Sequence, residues 1–393
     1  MTDALLILNV GSSTIKFALF EHKMPVPERP VLSGQIDGLD ACPRFKAKDS
    51  AGRLLDDVDL PFEPENQHRQ AFKFLIRWLR ERGSNWRIVG VGHRVVHGAQ
   101  RFSQPVLLDD ATIGILRGFI PLAPLHQPHN LAGIDEIAAA LPGIPQVACF
   151  DTAFHRTQSE LAQRLALPRR ITDQGVRRYG FHGLSYEYIA DALPKQLGDR
   201  ADGRVIVAHL GNGASLCALQ KRRSIATTMS FTALDGLVMG TRCGNLDPGV
   251  LLYLIEFQGM GIKELNELLY KESGLLGVSG ISQDMRELLA SERPEAREAV
   301  DLFCYCLVRE LGSMAAALRG VDALVFTGGI GEHAAVIRQR VCAACSWLGI
   351  ALDPDANDAN ALRVSTPDSA VDVLVIPTNE EWIIARHTAD LIG

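Results

Sequence analysis

Residues 5–19 read LLILNVGSSTIKFAL, and the reading of this stretch decides the fold. Leu5–Leu8 is an apolar run of the length of a buried strand. Asn9, Gly11, Ser12, Ser13 and Thr14 follow as a tight turn of small hydrogen-bonding residues. A second strand then closes on Phe17, Ala18 and Leu19 with Lys16 inside it. Glycine lets backbone N–H groups approach an anion, Ser and Thr hydroxyls bond phosphate oxygens or metal-bound water, and one lysine adds a point charge. Standing alone, the stretch also reads as an ordinary hairpin turn. A second stretch, Val205–Leu219, reads VIVAHLGNGASLCAL and repeats the pattern of apolar strand, glycine-rich turn and apolar strand. Gly211 answers to Gly11 and His209 to Asn9, but the second strand slips: Ile15 and Lys16 fall opposite Ser215 and Leu216, and the second copy has no lysine. Two such units predict a duplicated α/β fold with one hairpin in each half, the pair gripping one polyphosphate from both sides.

The remaining composition narrows the class. A chain of 393 residues accommodates two ordinary domains, and 47% hydrophobic with 22% charged residues suits a soluble protein with a real core. The net charge of −6 argues against nucleic acid or an anionic membrane as the main partner, so any anion site must be local. No run approaches the length of a membrane span, and the N-terminus lacks a charged-then-apolar signal, which predicts a cytoplasmic protein. The eight cysteines are scattered, and the lone C-x-x-C at Cys342 and Cys345 lacks a second ligand pair, so buried reduced thiols are expected.

Along the chain, Gln67–Arg82 is an amphipathic helix with Ala71, Phe72, Leu75, Trp78 and Leu79 inward, stopped by Gly83. Ile88–His97 is strand-like and carries Arg94 in its middle, where a charge needs a partner; His93 and His97 bracket it and favour a binding role. Pro121–Asn130 places His126 on a restrained turn before a helix over Leu131–Leu141, and Pro145–Phe150 is a strand ending at Asp151. Taken singly, Asp151 reads as a cap for a helix from Thr152 onward. Tyr179–Ser185 presents His182 between glycines ahead of a helix over Tyr186–Leu193, and Thr227–Gly249 is loop-like with Arg242 among small residues. Ile255–Tyr270 reads as mostly helical, and Pro294–Leu318 as the longest helix, with a stripe of Ala299, Phe303, Leu307, Leu311, Met314 and Leu318. Ala323–His333 reads as strand then glycine turn, with a helix from Ala334. Val371–Pro377 is a last strand before a closing helix capped at Asn379.

These segments together resemble the acetate kinase family, within the larger group of acetate and sugar kinases, actin and heat-shock chaperones. The resemblance runs through NVGSSTIKF at Asn9, GHRVVHG at Gly92, APLH at Ala123, FDTAFH at Phe150 and RYGFHG at Arg178. It continues through HLGNGAS at His209, MGTR at Met239, SGISQDMR at Ser279, FTGGIGE at Phe326 and PTNEE at Pro377. It implies a two-domain actin-like (ribonuclease H-like) α/β fold with a duplicated βββαβαβα core, the domains being 1–150 plus 380–393 and 151–379, with nucleotide in the cleft between them. The chain departs from the family pattern at Gln127, Leu184, Asn245 and His333, and at Ala233 where many members carry Pro.

The activity implied is reversible Mg²⁺-dependent phosphoryl transfer between ATP and acetate, giving acetyl phosphate and ADP, with Mn²⁺ a possible substitute and a homodimer as the assembly. Carried over by position, Asn9 and Lys16, with Ser12 and Thr14, would meet phosphate and metal, and Glu380 would help hold the metal. His209, Leu210, Gly211, Asn212 and Gly213, with Gly329, Ile330, Gly331, Glu332 and His333, would hold phosphate and adenosine. Asp284, Met285 and Arg286 would lie at the nucleotide. Arg94 would bind the acetate carboxylate, and Val96, Leu125, Phe181 and Ala233 would shape a pocket for its methyl group. Arg242 and His182 would stabilise the phosphoryl group in flight, with His126 supporting; an arginine so used contributes about 10³ to 10⁵ in rate. The resemblance gives Asp151 an acid/base role. Yet a carboxylic acid of pKa near ~4.5 is roughly 99% ionised at pH 7 and has no proton to lose, so Asp151 is expected to orient Mg²⁺ or the attacking oxygen. The rival readings are a propionate or butyrate kinase of the same family and an actin-like ATP-driven binding module.

Overall fold

The computed structural model describes residues 1–39, 42–63, 65–82 and 85–393. The chain forms two units, Met1–Ala153 with Asn379–Gly393, and Phe154–Thr378. The first holds strands β1 (Thr2–Val10), β2 (Thr14–Glu21), β3 (Leu32–Asp37), β4 (Arg44–Asp49), β5 (Leu54–Asp59), β6 (Trp86–Val95), β7 (Val106–Leu107) and β8 (Gln146–Phe150). They make one sheet in the order β5-β4-β3-β2-β1-β6-β8-β7. The second unit holds β9 (Arg204–Leu210), β10 (Ala214–Gln220), β11 (Arg223–Thr227), β12 (Ala323–Thr327) and β13 (Asp372–Val375), in the order β11-β10-β9-β12-β13. In each, a three-stranded antiparallel meander is followed by two parallel strands beside its first strand. This is the duplicated core that the paired hairpins predicted, with β4, β5 and β7 added to the first sheet.

The register explains why the two copies slip against each other in sequence. Asn9 lies opposite Lys16 in one hairpin, and His209 opposite Ser215 in the other. The first turn closes with Gly11 N donating to Thr14 O (2.8 Å), the second with Gly211 N donating to Gly213 O (3.0 Å). The second turn is one residue shorter. Ser215, not Leu216, is therefore the counterpart of Lys16.

Strands covered on both faces read as continuous apolar runs, and Ala4–Leu8 of β1 and all of β8, β12 and β13 are buried. The helix Gln67–Arg82 presses its expected stripe against the first sheet, where Trp78 and Phe45 rings meet edge to face at 5.0 Å. Gly83, expected to stop it, lies outside the described residues. In the second unit the helix Pro294–Leu318 has the predicted bounds and buries the predicted stripe, while Tyr186, Ile189 and Leu193 of another helix pack with Val205, Val207 and Val325. Among the described residues no helix is long and apolar enough to cross a membrane, and all eight cysteines are free thiols.

Several expectations need correcting. The helix placed at Leu131 begins at Gln127, because Pro128 sits in its first turn, where a missing N–H costs nothing. The helix expected over Tyr186–Leu193 runs from Gly183 to Leu197. Ile255–Tyr270 is broken into Pro248–Glu256 and Ile262–Lys271, the second capped at Gly261, whose N–H donates to Glu264 Oε2 (2.7 Å). The glycine turn after β12 is itself helical over Gly328–His333, since Glu332 reaches back to the Gly328 N–H (2.8 Å) and closes the turn.

The closing helix Glu380–Ile392 lies on β6 at Gly92, where a Cβ would press into Thr388, Ile384 and Ile7. We expect Gly92→Ala to lower stability by about 1–3 kcal/mol through overpacking, read from the urea midpoint.

Candidate active site

In the first unit the candidate side chains Asn9, Arg94 and Asp151 stand at the C-terminal ends of the neighbouring strands β1, β6 and β8, where α/β sheets bind ligands. Arg94, at the C-terminal end of β6, finds the partner it needs in Asp151: Nε donates to Oδ1 (2.8 Å) and Nη2 to Oδ2 (2.6 Å). Its Nη1 lies 3.5 Å from Asn9 Oδ1 and 3.7 Å from Glu380 Oε2. Burial opposes the guanidinium charge, but Asp151 and Glu380 together hold it above the ordinary arginine value. The Glu381 carboxyl is pushed up by burial and by Glu380, with Lys16 and Arg94 pulling it back, so Lys16 acts electrostatically on this cluster. Asp151 does not cap a helix from Thr152. Its carboxylate is taken by Arg94, and a 3-10 helix, Ala153–Thr157, follows instead.

The histidines flanking Arg94 are core residues rather than part of a binding cluster. His93 Nε2 donates to the Gln146 amide oxygen (2.6 Å), and His97 Nδ1 accepts from Ala99 N (2.9 Å). Burial pushes both down to about 4. His126 stands half-buried at the start of the helix Gln127–Ala140, between half-buried Leu125 and buried Gln127, while Val96 is buried. Gln127 exchanges hydrogen bonds with the His97 backbone, its Oε1 accepting from N and its Nε2 donating to O, both 3.3 Å. Sequence reasoning missed Asn130, whose side chain accepts from Val96 N (2.9 Å) and donates to Val10 O (2.7 Å), tying the ends of β1 and β6 together. It also missed His68, whose Nε2 donates to Gly11 O (2.9 Å) in the first hairpin.

In the second unit His182 adopts left-handed backbone geometry (φ 57°, ψ 25°) at the start of the helix Gly183–Leu197. Its ring stacks on His209 at 4.3 Å, and its Nδ1 lies 2.8 Å from Ser215 Oγ. Arg242 donates through Nη1 to Ala233 O (2.6 Å). Its other end reaches the second hairpin: a Cβ on Gly213 would lie 2.7 Å from Arg242 Nη2 and 3.2 Å from His182 Nε2. The two side chains converge on the hairpin at Gly213. Phe181 is buried, and its carbonyl accepts from His155 Nε2 (2.8 Å).

A cavity of about 520 Å³ opens in the same unit, lined by Gly211, Asn212, Asp284, Met285, Arg286, Gly329, Ile330 and His333, all expected at the nucleotide. Gln283, Leu289 and Ala334 also line it and were not anticipated. Asp284 caps the helix Met285–Ala290, and the Arg286 guanidinium holds its carboxyl below the usual range. Glu332 turns to backbone, its Oε1 accepting from Gly328 N and, at 3.3 Å, from Thr378 N. Behind the turn, fully buried Arg338 donates to Gly331 O (2.9 Å) and Glu332 O (3.0 Å), a support with no signal in the sequence.

The sequence profile of the Acetokinase family matches residues 4–386. The chain belongs to the acetokinase family. Among curated acetokinases it is 57% identical over 391 residues to acetate kinase of Rhodopseudomonas palustris, covering 98% of each chain. It is 49% identical to that of Nitrobacter hamburgensis, covering 99% of this chain and 96% of the other. Among solved structures it superposes on a propionate kinase from Francisella tularensis with TM-score 0.91 at 36% identity, covering 99% of this chain and 100% of that one. On Porphyromonas gingivalis acetate kinase the TM-score is 0.87 at 38% identity, covering 100% of both. Within this acetokinase, Gln127 fits its position by bonding both backbone groups of His97, and Leu184 by burial in the core.

Two measurements test this geometry. Folded His93 stays neutral to about 4 while the unfolded side chain titrates near 6.5, so its contribution is complete above pH 6.5 and is lost as pH falls toward 4. In His93→Gln, the slope of unfolding free energy against pH in that window should fall by about one proton. Gly213→Ala should lower its thermal midpoint only slightly, because the nearest atom the new methyl meets is the flexible Arg242 Nη2 end and the His182 ring need give by only a few tenths of an ångström. Displacing Arg242 and His182 should still cost about 10²-fold in kcat.

Proposed function

We propose that the chain catalyses reversible transfer of the γ-phosphoryl group of ATP to acetate, giving acetyl phosphate and ADP. The observation that carries this reading is the convergence of Arg242 and His182 on the second hairpin, next to the cavity lined by Gly211 and Asn212. A carboxylate oxygen of the acceptor attacks the γ-phosphorus while the bond to the β–γ bridging oxygen breaks, leaving ADP. Negative charge spreads over the phosphoryl oxygens in transit, and donors already fixed beside the hairpin by Ala233 O and Ser215 Oγ stabilise it without reorganising. Arg242 and His182 fill that role, with His126 supporting.

Arg94 is the group for the acceptor carboxylate. Asp151 holds its Nε and Nη2, and we assign the contact with the acceptor to Nη1, which here faces Asn9 Oδ1 and Glu380 Oε2. Asp151 is then not a base, since acetate arrives ionised; it orients Arg94. The family resemblance assigns Val96 and Leu125 of the first unit and Phe181 and Ala233 of the second to the methyl group. The oxygen donors Asn9 and Glu380, both close to Arg94 Nη1, fit a magnesium ion that takes its remaining ligands from phosphate and water. Among the described residues no group of three or more His, Cys, Asp or Glu side chains is placed to hold a metal ion. Manganese would suit the same oxygen donors. Bound there, the cation would neutralise polyphosphate charge beside Lys16, Ser12 and Thr14.

The free thiols accord with work in a reducing cytoplasm. A homodimer would cover the helix Pro248–Glu256, which leaves Leu252 (59%), Tyr253 (51%) and nearby Phe257 (74%) exposed. A second reading, propionate as acceptor, is favoured by the likeness to the Francisella propionate kinase and by the small side chain of Ala233. A hydroxamate assay over acetate, propionate and butyrate decides between them: kcat/KM should be highest for acetate. In Arg94→Ala the KM for the acid should rise far more than that for ATP. Absence of hydroxamate from every acid would sink the kinase reading.

A further inference from the structure

The residue that takes Lys16's place in the second hairpin is Ser215, and it faces chemistry rather than solvent. Its hydroxyl is fully buried and stands between two partners, Tyr186 Oη at 2.5 Å and His182 Nδ1 at 2.8 Å. Tyr186 is itself fully buried, one turn along the helix that His182 begins. We propose that Tyr186 and Ser215 form a relay of positioning residues that fixes the tautomer of His182, so that its Nε2 carries the proton and serves as a hydrogen-bond donor to the transferring phosphoryl group. The proposal deepens the kinase reading and rests on it for the identity of the acceptor oxygen.

The direction of the relay follows from acidity. Ser215 has one proton and two neighbours, so it donates to one and accepts from the other. A phenol is far more acidic than an aliphatic alcohol, so Tyr186 O–H is the better donor and Ser215 Oγ the better acceptor. Ser215 then spends its own proton on His182 Nδ1. Two bonds pointing the same way polarise each other and strengthen the arrangement. A neutral imidazole that accepts at Nδ1 carries its hydrogen on Nε2.

The surroundings favour the same orientation. His182 Nε2 is the ring atom that approaches Gly213, alongside Arg242 Nη2. The His182 ring is stacked on His209, whose Nδ1 lies 2.8 Å from Ser185 Oγ, so ring rotation is restrained on that face. On the chain side, the carbonyl of the preceding residue Phe181 is held by His155 Nε2, and Ser224 Oγ lies 2.9 Å from His155 Nδ1. Phe181 O can only accept, so His155 donates there and accepts from the Ser224 hydroxyl. His182 is thus held by its ring, by its Nδ1 and through its backbone.

Long-range ¹H–¹⁵N spectra of the full-length, ligand-free protein with ¹⁵N-labelled histidine test the relay directly, the His182 signals being assigned from their loss in His182→Gln. The wild type should show the Nε2–H tautomer for His182. Ser215→Ala should show a tautomer mixture and lose about 10- to 100-fold in kcat, the range seen when the partner orienting a functional histidine is removed. KM for ATP should change little. Tyr186→Phe, which deletes one oxygen and keeps the ring, should shift the spectrum the same way with a smaller kinetic loss. Ser215→Thr, retaining the hydroxyl, should restore both readouts. An Nδ1–H tautomer in the wild type overturns the proposal, and so does a Ser215→Ala variant with unaltered spectrum and kcat. Equal losses in Ser215→Ala and Ser215→Thr would assign the effect to packing and overturn it too. A wild type with the Nε2–H tautomer but no phosphoryl transfer would instead refute the kinase reading, because the spectra are recorded without substrate.

Discussion

A guanidinium at the C-terminal end of a largely buried strand is the constraint around which the first unit's candidate site is arranged. Arg94 leaves β6 where water is scarce, with its side chain 20% exposed and that of Asp151 2% exposed. Removing one member of such a pair costs about 3–5 kcal/mol, because the other is left buried and unpaired. The bidentate geometry therefore dictates where β8 must end, and Asp151 N donating to Val95 O (3.1 Å) keeps the two strand ends in step. The remaining Nη1 draws Asn9 from β1 and Glu380 from the closing helix. Glu380 arrives there because Asn379 fixes the helix start, accepting from Trp382 N (3.2 Å) and donating to Glu28 O (2.9 Å). Four chain segments distant in sequence are gathered by one cation.

Much of this is legible in the amino-acid sequence. The hairpins, the core stripe of Pro294–Leu318 and the pairing need of Arg94 follow from periodicity and from the cost of a buried charge. What failed to show was whatever depends on a contact distant in sequence. His93 and His97 look like ligands because they flank an arginine. Gln146 and the Ala99 backbone, which make them core residues, are set by folding. Asp151 looks like a cap because Thr152 follows it, and only Arg94 overrules that local preference. The glycines after β12 look like a loop until Glu332 closes them into a turn of helix. Asn130 and Arg338 gave no signal at all, since each acts through backbone carbonyls or amides that no motif records.

The duplication itself hides the most informative correspondence. Aligned by their glycines, the two hairpins set Lys16 against Leu216, and the second copy seems to have lost its polar residue. Pairing across the strands removes the slip: Lys16 faces Asn9 as Ser215 faces His209. A turn shorter by one residue keeps the strand backbones equivalent while changing what stands at the shared position. In the first unit that position carries an exposed lysine acting on the carboxylates of the closing helix. In the second it carries a buried hydroxyl bonded to a histidine. The surroundings require the difference. A lysine at 215 would be enclosed with His182, His209 and Tyr186, without the carboxylates that lower the cost of charge near Lys16, and desolvation would strip its proton. A serine at 16 would leave Asp151, Glu380 and Glu381 facing Arg94 alone. The same strand–turn–strand design thus serves two electrostatic tasks, an exposed cation where negative charge accumulates and a neutral donor chain where a histidine must be held.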